Sequence, residues 1–166
     1  DIPHPALEAL FTIDEETGMT GAMGLKPGQL TGEILLNLDT EEDDEIDIGC
    51  AGGIDVTASQ TYGLENARGQ IVKIEVKGLQ GGHSGMDIIK GFGNSNVILG
   101  RLLYTGLYNQ NIQLISIDGG GLRNAIPREA SAVLSVRHSV EFIDQVTALK
   151  KEILEEFTGV EKDLHL

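Results

Sequence analysis

The clearest hydrophobic periodicity in the chain lies near its C-terminal end. Phe142, Val146, Leu149, Ile153 and Phe157 recur at intervals of four, three, four and four residues, which aligns them in one stripe along an α-helix. A helix is predicted over 141–157, with Ser139 placed to cap its start and Gly159 to stop it. A second helix is predicted over 94–109. There Val97, Ile98, Arg101, Leu102 and Leu103 follow the same period imperfectly, and Gly100 and Gly106 weaken it. Between and before the helices the period shortens to two. Residues 70–78, QIVKIEVKG, alternate apolar and polar positions. Residues 112–118, IQLISID, read as a strand. So do residues 129–138, EASAVLSVRH, with Ala130, Ala132, Leu134 and Val136 on one face. From residue 70 the order is β-α-β-β-α, and Lys162 to Leu166 can begin a last strand. That order predicts a split βαβ sandwich, an α+β arrangement with two helices on one face of an antiparallel sheet.

The first third of the chain has a different texture. Ala9 to Ile13 is a short apolar run that stops at Asp14, Glu15 and Glu16. Residues 18–30 read as a turn with a short helical piece, closed by Pro27-Gly28. Ile34 to Leu38 is a second apolar run, and it also stops on an acid, Asp39. Strand, crossover and strand predict parallel pairing in an α/β sheet. Ligands of such sheets bind at the carboxyl ends of strands, where both acidic stops fall. Ile54 to Gln60 reads as a further strand. The change of texture at Gly52-Gly53 predicts a domain boundary, with residues 1–53 in one domain and 54–166 in the next.

Composition narrows the class of protein. With 40% hydrophobic residues the chain can build a core, and with 4% aromatics that core must be mainly aliphatic. A formal net charge of −14 argues against nucleic acid and against anionic membranes, both of which require basic patches. No run approaches the roughly 20 apolar residues of a membrane span. The single cysteine, Cys50, excludes an internal disulfide and suggests a reducing, cytoplasmic compartment. The opening DIPHPALEAL has neither an initiator Met nor the layout of a signal peptide, so the chain is expected to begin within a longer protein. Six acids between Glu41 and Asp47 read as a solvated loop. They lack the alternating ligand pattern and central glycine of an EF-hand.

Three stretches could carry chemistry. Neighbouring carboxylates at a strand end point to opposite faces, so Glu15 and Glu16 can do different jobs. One can ligate a metal while the other deprotonates a bound water. The same acids could equally be solvated turn residues. In GLQGGHSGM (78–86) glycines flank His83 and let the backbone turn sharply to present the imidazole, or simply form a surface loop. Ser84 is too close to His83 along the chain for a nucleophilic triad. In GGGLRNAIPREA (119–130) Arg123, Asn124 and Arg128 accompany a flexible turn. Arg can grip a carboxylate and Asn can donate to a carbonyl. The Gly-Lys-Ser/Thr ending of a phosphate loop is absent.

Taken together, TIDEETGMTGA, ILLNLDTEE, GCAGGID, GLQGGHSG and GGGLRNAIPREA, in this order, resemble the M20 family of co-catalytic zinc peptidases. Within it they are most similar to the Xaa-His (aminoacyl-histidine) dipeptidase branch. The resemblance runs over nearly the whole chain. It implies a parallel-sheet catalytic domain, represented by 1–53, followed by an α+β lid domain, 54–166. It implies Glu15 as general base, Glu16 and Asp39 as ligands of two Zn2+ ions, and His83 as a lid residue stabilising the oxyanion. Asn124 would meet the substrate, with Arg123 and Arg128 beside it. The implied substrate is a dipeptide such as β-alanyl-histidine, and the implied partner is a second copy joined through the lid.

The chain also departs from the family pattern. Its histidines are His4, His83, His138 and His165, and no His-x-Asp ligand pair is present. The expectation is therefore a piece of a dipeptidase, inactive by itself and at most a weak zinc binder. Two alternatives stay open at this point. One is an aminoacylase or deacylase of the same family. The other is a non-catalytic module that associates or binds small molecules through a sheet edge or helix.

Overall fold

The computed structural model describes residues 2–39, 44–50, 52, 54–109 and 112–166. Its elements in chain order are helix α1 (Thr20–Met23), strands β1 (Gln70–Val76) and β2 (Gly82–His83), helix α2 (Ser95–Asn109), strands β3 (Ile112–Gly119), β4 (Ala125–Ile126) and β5 (Ala130–Val136), and helix α3 (Ser139–Glu156). A 3-10 turn occupies Ile88–Lys90. The chain divides into two units, Asp1–Ala58 and Ser59–Leu166, a few residues beyond the Gly52-Gly53 pair.

In the second unit the β-α-β-β-α order read from the sequence is the order observed, with β2 and β4 added as short strands. The sheet order is β1-β5-β3, and both neighbouring pairs run antiparallel. Register sets Val72 opposite Leu134, Ile74 opposite Ala132 and Val76 opposite Ala130. Successive residues of a strand alternate between faces, so Ala130, Ala132, Leu134 and Val136 line one side of β5. All four are buried. Ile98, Leu99 and Leu102 of α2 and Phe142 and Ile153 of α3 belong to the same core cluster, with Val146, Leu149 and Phe157 packed against it. Each large side chain fully buried contributes about 1.5–3 kcal/mol, so this single layer of contacts holds the unit together.

The helices differ from expectation in detail. Ser139 is the first residue inside α3 and not its cap. The cap position is His138, which makes no side-chain capping bond. The helix ends at Glu156 with Phe157 as its C-cap, and Gly159 lies in the following turn at φ +87°. In α2, Leu99 is buried while Val97 stays exposed. The helix packs against both α3 and the sheet, so its buried arc centres on residues 98, 99 and 102. Arg101 at the margin of that arc pairs with Glu156 of α3 at 2.8 Å. Asn94 caps α2, its side-chain oxygen accepting the amides of Asn96 and Val97 at 3.0 and 3.2 Å.

The two sheet edges are not equivalent. On the β1 side, Lys77 and His165 exchange backbone hydrogen bonds at 2.9 Å each way, so the predicted last strand appears as one antiparallel bridge. The outer edge of β3 pairs with no strand among the described residues. A bulge between Leu114 and Ser116 interrupts β3, and Leu114, Ile115 and Ile117 are each at least half exposed.

The first unit corrects the sequence reading. Residues 9–13, 34–38 and 54–60 were expected as strands, and their described residues form none. Phe11 is 92% exposed and Leu38 87%. A buried parallel strand needs paired neighbours and helices over both faces. Among the described residues of this unit the only regular element is the four-residue helix α1, and its apolar runs find nothing there to be buried against. The turn with a short helical piece over 18–30 is present as α1 and a turn in which the Gln29 amide donates to the Lys26 carbonyl. Glu8 ties this unit across a long loop. Its carboxylate accepts the amides of Thr31 and Gly32 at 2.8 and 2.7 Å, and these bonds lower its pKa. Of the acidic run, residues 41–43 lie outside the described residues, and Asp44, Glu45 and Asp47 are exposed.

Candidate functional site

The strands β2 and β4 form a two-rung antiparallel ladder that pairs Gly82 with Ile126 and His83 with Ala125. The Ser84 amide then donates to the Asn124 carbonyl at 2.9 Å. The glycine-flanked histidine and the Asn124 turn, far apart in sequence, therefore meet on one ladder. Two glycines make this approach possible. A Cβ on Gly81, at φ +70°, would lie 2.5 Å from Arg128 Cγ. One on Gly82, at φ +151°, would lie 2.7 Å from Asp87 Oδ2. Neither position tolerates a side chain at that distance.

His83 is exposed, and its backbone and ring are both held. The His83 amide donates to Asp87 Oδ2 at 2.7 Å. The amides of Gly85 and Met86 donate to His83 Nδ1 at 3.1 and 3.2 Å. Asp87 is anchored in turn by Lys90 at 2.6 Å. Lys90 and the His83 amide together hold its carboxyl below the usual carboxylate range. Arg128 is engaged with the backbone beneath this loop: its Nε donates to the Leu79 carbonyl at 3.1 Å. Arg123 lines an open, mostly polar depression with Asn94, Asn96 and the Gly119–Gly121 turn.

The carboxylates of the first unit sit in a tight turn. Asp14 has a left-handed backbone at φ +63°, and Thr17 and Thr20 donate their hydroxyls to its carboxylate, the latter at 2.8 Å. The turn carries Glu15 and Glu16 outward as exposed side chains. Asp39 is also exposed, its amide donating to Asn37 Oδ1 at 3.3 Å. A protein zinc site needs at least three side-chain ligands. Among the described residues no three His, Cys, Asp or Glu side chains stand together. Glu16 and Asp39 thus do not make up a zinc site with the described residues alone.

Residues 74–163 match the family model for the peptidase dimerisation domain of M20 peptidases. The chain belongs to the M20 dimerisation-domain family. All of it aligns with the cytosol non-specific dipeptidase of Escherichia coli (strain K12) at 43% identity, covering 35% of that protein. Its structure is similar to the crystal structure of the aminoacylhistidine dipeptidase from Vibrio alginolyticus, with a TM-score of 0.66 and 36% identity. That similarity covers 93% of this chain and 32% of the other. The chain thus spans about a third of the length of these relatives. The matched residues contain α2, β3, β5, α3, the last three residues of β1 and the whole His83–Asn124 ladder.

Two site residues escaped the sequence reading. Asp87 stands four positions after His83 in GGHSGMD, and a carboxylate inside a glycine-rich loop was the available signal. Glu161, only 6% exposed, accepts the Gln80 amide at 2.9 Å and the Gly93 amide at 2.7 Å. It grips both ends of the segment that carries His83. Nothing local marks it, because its partners are distant in sequence.

Proposed function

We propose that this chain is the lid and dimerisation part of a cytoplasmic, zinc-dependent dipeptidase whose substrates include dipeptides ending in histidine, such as β-alanyl-histidine. The observation that carries this reading is the ladder joining His83 to the Asn124 turn inside an M20 dimerisation domain. Hydrolysis of a peptide bond builds negative charge on the carbonyl oxygen, and hydrogen-bond donors fixed near it favour that charge. His83 supplies such a donor, and Asn124 and Arg123 are the adjacent candidates for the ends of the substrate. Arg128 acts from below by fixing the backbone at Leu79. Glu15 is the proposed base that takes a proton from water and returns it to the leaving amine. Glu16 and Asp39 are proposed as part of a ligand set completed by the remainder of the enzyme. The exposed apolar residues Phe11, Ile13, Leu36 and Leu38 support a surface that this remainder covers. The names of the two relatives differ in breadth, so histidine at the second position is proposed as accepted and not as required.

The same reading includes a homodimer. An unpaired strand edge bearing Leu114, Ile115 and Ile117, with none of the usual blunting lysines or prolines on it, is a template for pairing with a second copy. Val97 and Leu107 add exposed apolar surface on α2. In sedimentation, the chain should self-associate with concentration, and Leu114→Lys with Ile117→Lys should yield a monomer. A concentration-independent monomer for the unmodified chain would remove the dimer from the proposal.

A substrate panel on the whole enzyme with zinc tests the activity. Hydrolysis of β-alanyl-histidine and of dipeptides lacking histidine is expected. Hydrolysis of N-acyl amino acids with no dipeptide turnover would replace this reading with a deacylase. The 166-residue chain alone is expected to show no turnover.

A further inference from the structure

Two backbone amides, those of Gly85 and Met86, converge on a single ring nitrogen of His83, Nδ1, at 3.1 and 3.2 Å. An amide N–H can only donate, so this nitrogen must accept and cannot carry a hydrogen. The neutral ring then bears its hydrogen on Nε2. The main chain of the same residue is clamped from both sides. Its amide donates to Asp87 Oδ2 at 2.7 Å, and its carbonyl accepts the Asp87 amide at 3.0 Å. Asp87 is kept in place by Lys90 at 2.6 Å, and Gly82 leaves the space that its carboxylate occupies.

We propose that Asp87 and the Gly85–Met86 amide pair are positioning elements that lock His83 in the Nε2–H tautomer, so that it meets a substrate carbonyl as a neutral hydrogen-bond donor. With Nδ1 occupied by two amides, the neutral ring presents a donor at Nε2 and leaves base chemistry to a carboxylate. The role at the substrate rests on the dipeptidase reading above, whereas the tautomer depends only on this loop.

Long-range proton–nitrogen NMR of the histidine rings of the 166-residue chain, in mildly alkaline buffer, reads the tautomer directly. His83→Gln assigns the signal among the four histidines. The expected result is one dominant Nε2–H form at His83. Met86→Pro deletes one donor to Nδ1 and should shift the tautomer ratio roughly two- to tenfold toward the other form, the worth of one neutral hydrogen bond. Asp87→Ala should loosen the ratio in the same direction, and Asp87→Asn, which keeps an acceptor for the His83 amide, should restore it. Dominance of the Nδ1–H form, or the same mixture at His83 as at an unconstrained histidine, overturns the proposal. So does a ratio that neither Met86→Pro nor Asp87→Ala moves. These results do not depend on the substrate panel. A locked Nε2–H ring in an enzyme without dipeptidase activity would sustain the tautomer and refute the function.

Discussion

Replacing Glu161 tests how the His83 loop is held. Its two carboxylate oxygens accept the amides of Gln80 and Gly93 at 2.9 and 2.7 Å, and the side chain is buried beside Leu79. The Gln80 side chain adds a bond to the Val160 carbonyl on the same segment. Glu161→Ala removes both acceptors. A buried donor left unpaired costs about 1–3 kcal/mol. The Gly93 amide is buried and bears that cost in full, while the partly buried Gln80 amide recovers some of it from water. The expected loss is about 2–4 kcal/mol, a large fraction of the roughly 5–15 kcal/mol that stabilises an ordinary domain. Glu161→Gln keeps one oxygen but turns an NH2 group toward a backbone N–H, so it should cost about 1–3 kcal/mol and fail to rescue. Urea unfolding followed by far-UV circular dichroism gives the loss from the midpoint. Amide exchange at Gly93 should accelerate in parallel. If the alanine variant unfolds within about 0.5 kcal/mol of the parent and Gly93 exchange is unchanged, the clamp is not what secures this loop.

Other expectations follow from single contacts. Gly100 and Gly106 lie in the same helix but should respond with opposite sign to alanine. A Cβ on Gly100 meets nothing within 4 Å, so Gly100→Ala should stabilise by about 0.5–1 kcal/mol. A Cβ on Gly106 would sit 2.5 Å from the Phe142 ring, so Gly106→Ala should destabilise by about 1–3 kcal/mol despite its better propensity; thermal unfolding of both variants checks the contrast. Glu75 is bridged by Lys73 and Lys77 at 2.8 and 2.9 Å, and its pKa falls from 4.5 to about 2, first through the hydrogen bond from Lys73 and then through that from Lys77. Its contribution is present above about pH 4.5 and is lost as pH drops toward about 2. Glu75→Gln should flatten that part of the stability profile, and salt should shrink it because the partner lysines, Lys73 and Lys77, are exposed.

What the sequence made legible follows from where each element finds its partners. The second unit was read nearly to the residue because its sheet and helices bury one another. Alternation in β5 and the stripe from Phe142 to Phe157 are local signatures of contacts made within the same chain. The strand expectations at 9–13 and 34–38 failed for the opposite reason. An apolar run shows a demand for burial, and among the described residues of the first unit nothing meets that demand. Of the site, His83 and the Asn124 turn were visible as glycine-rich segments. Their meeting was not, because β2 and β4 are each two residues long and leave no period to detect. Glu161 was invisible for a related reason: its role is set by amides at 80 and 93, far away along the chain.

The most direct test of the account is the effect of His83→Ala on β-alanyl-histidine hydrolysis by the whole enzyme, with zinc content measured alongside. If His83 donates to the developing oxyanion, kcat should fall on the order of 10²–10³-fold while zinc content and fold stay unchanged. A variant that retains the parent kcat would contradict the assignment of the His83–Asn124 ladder to the active site.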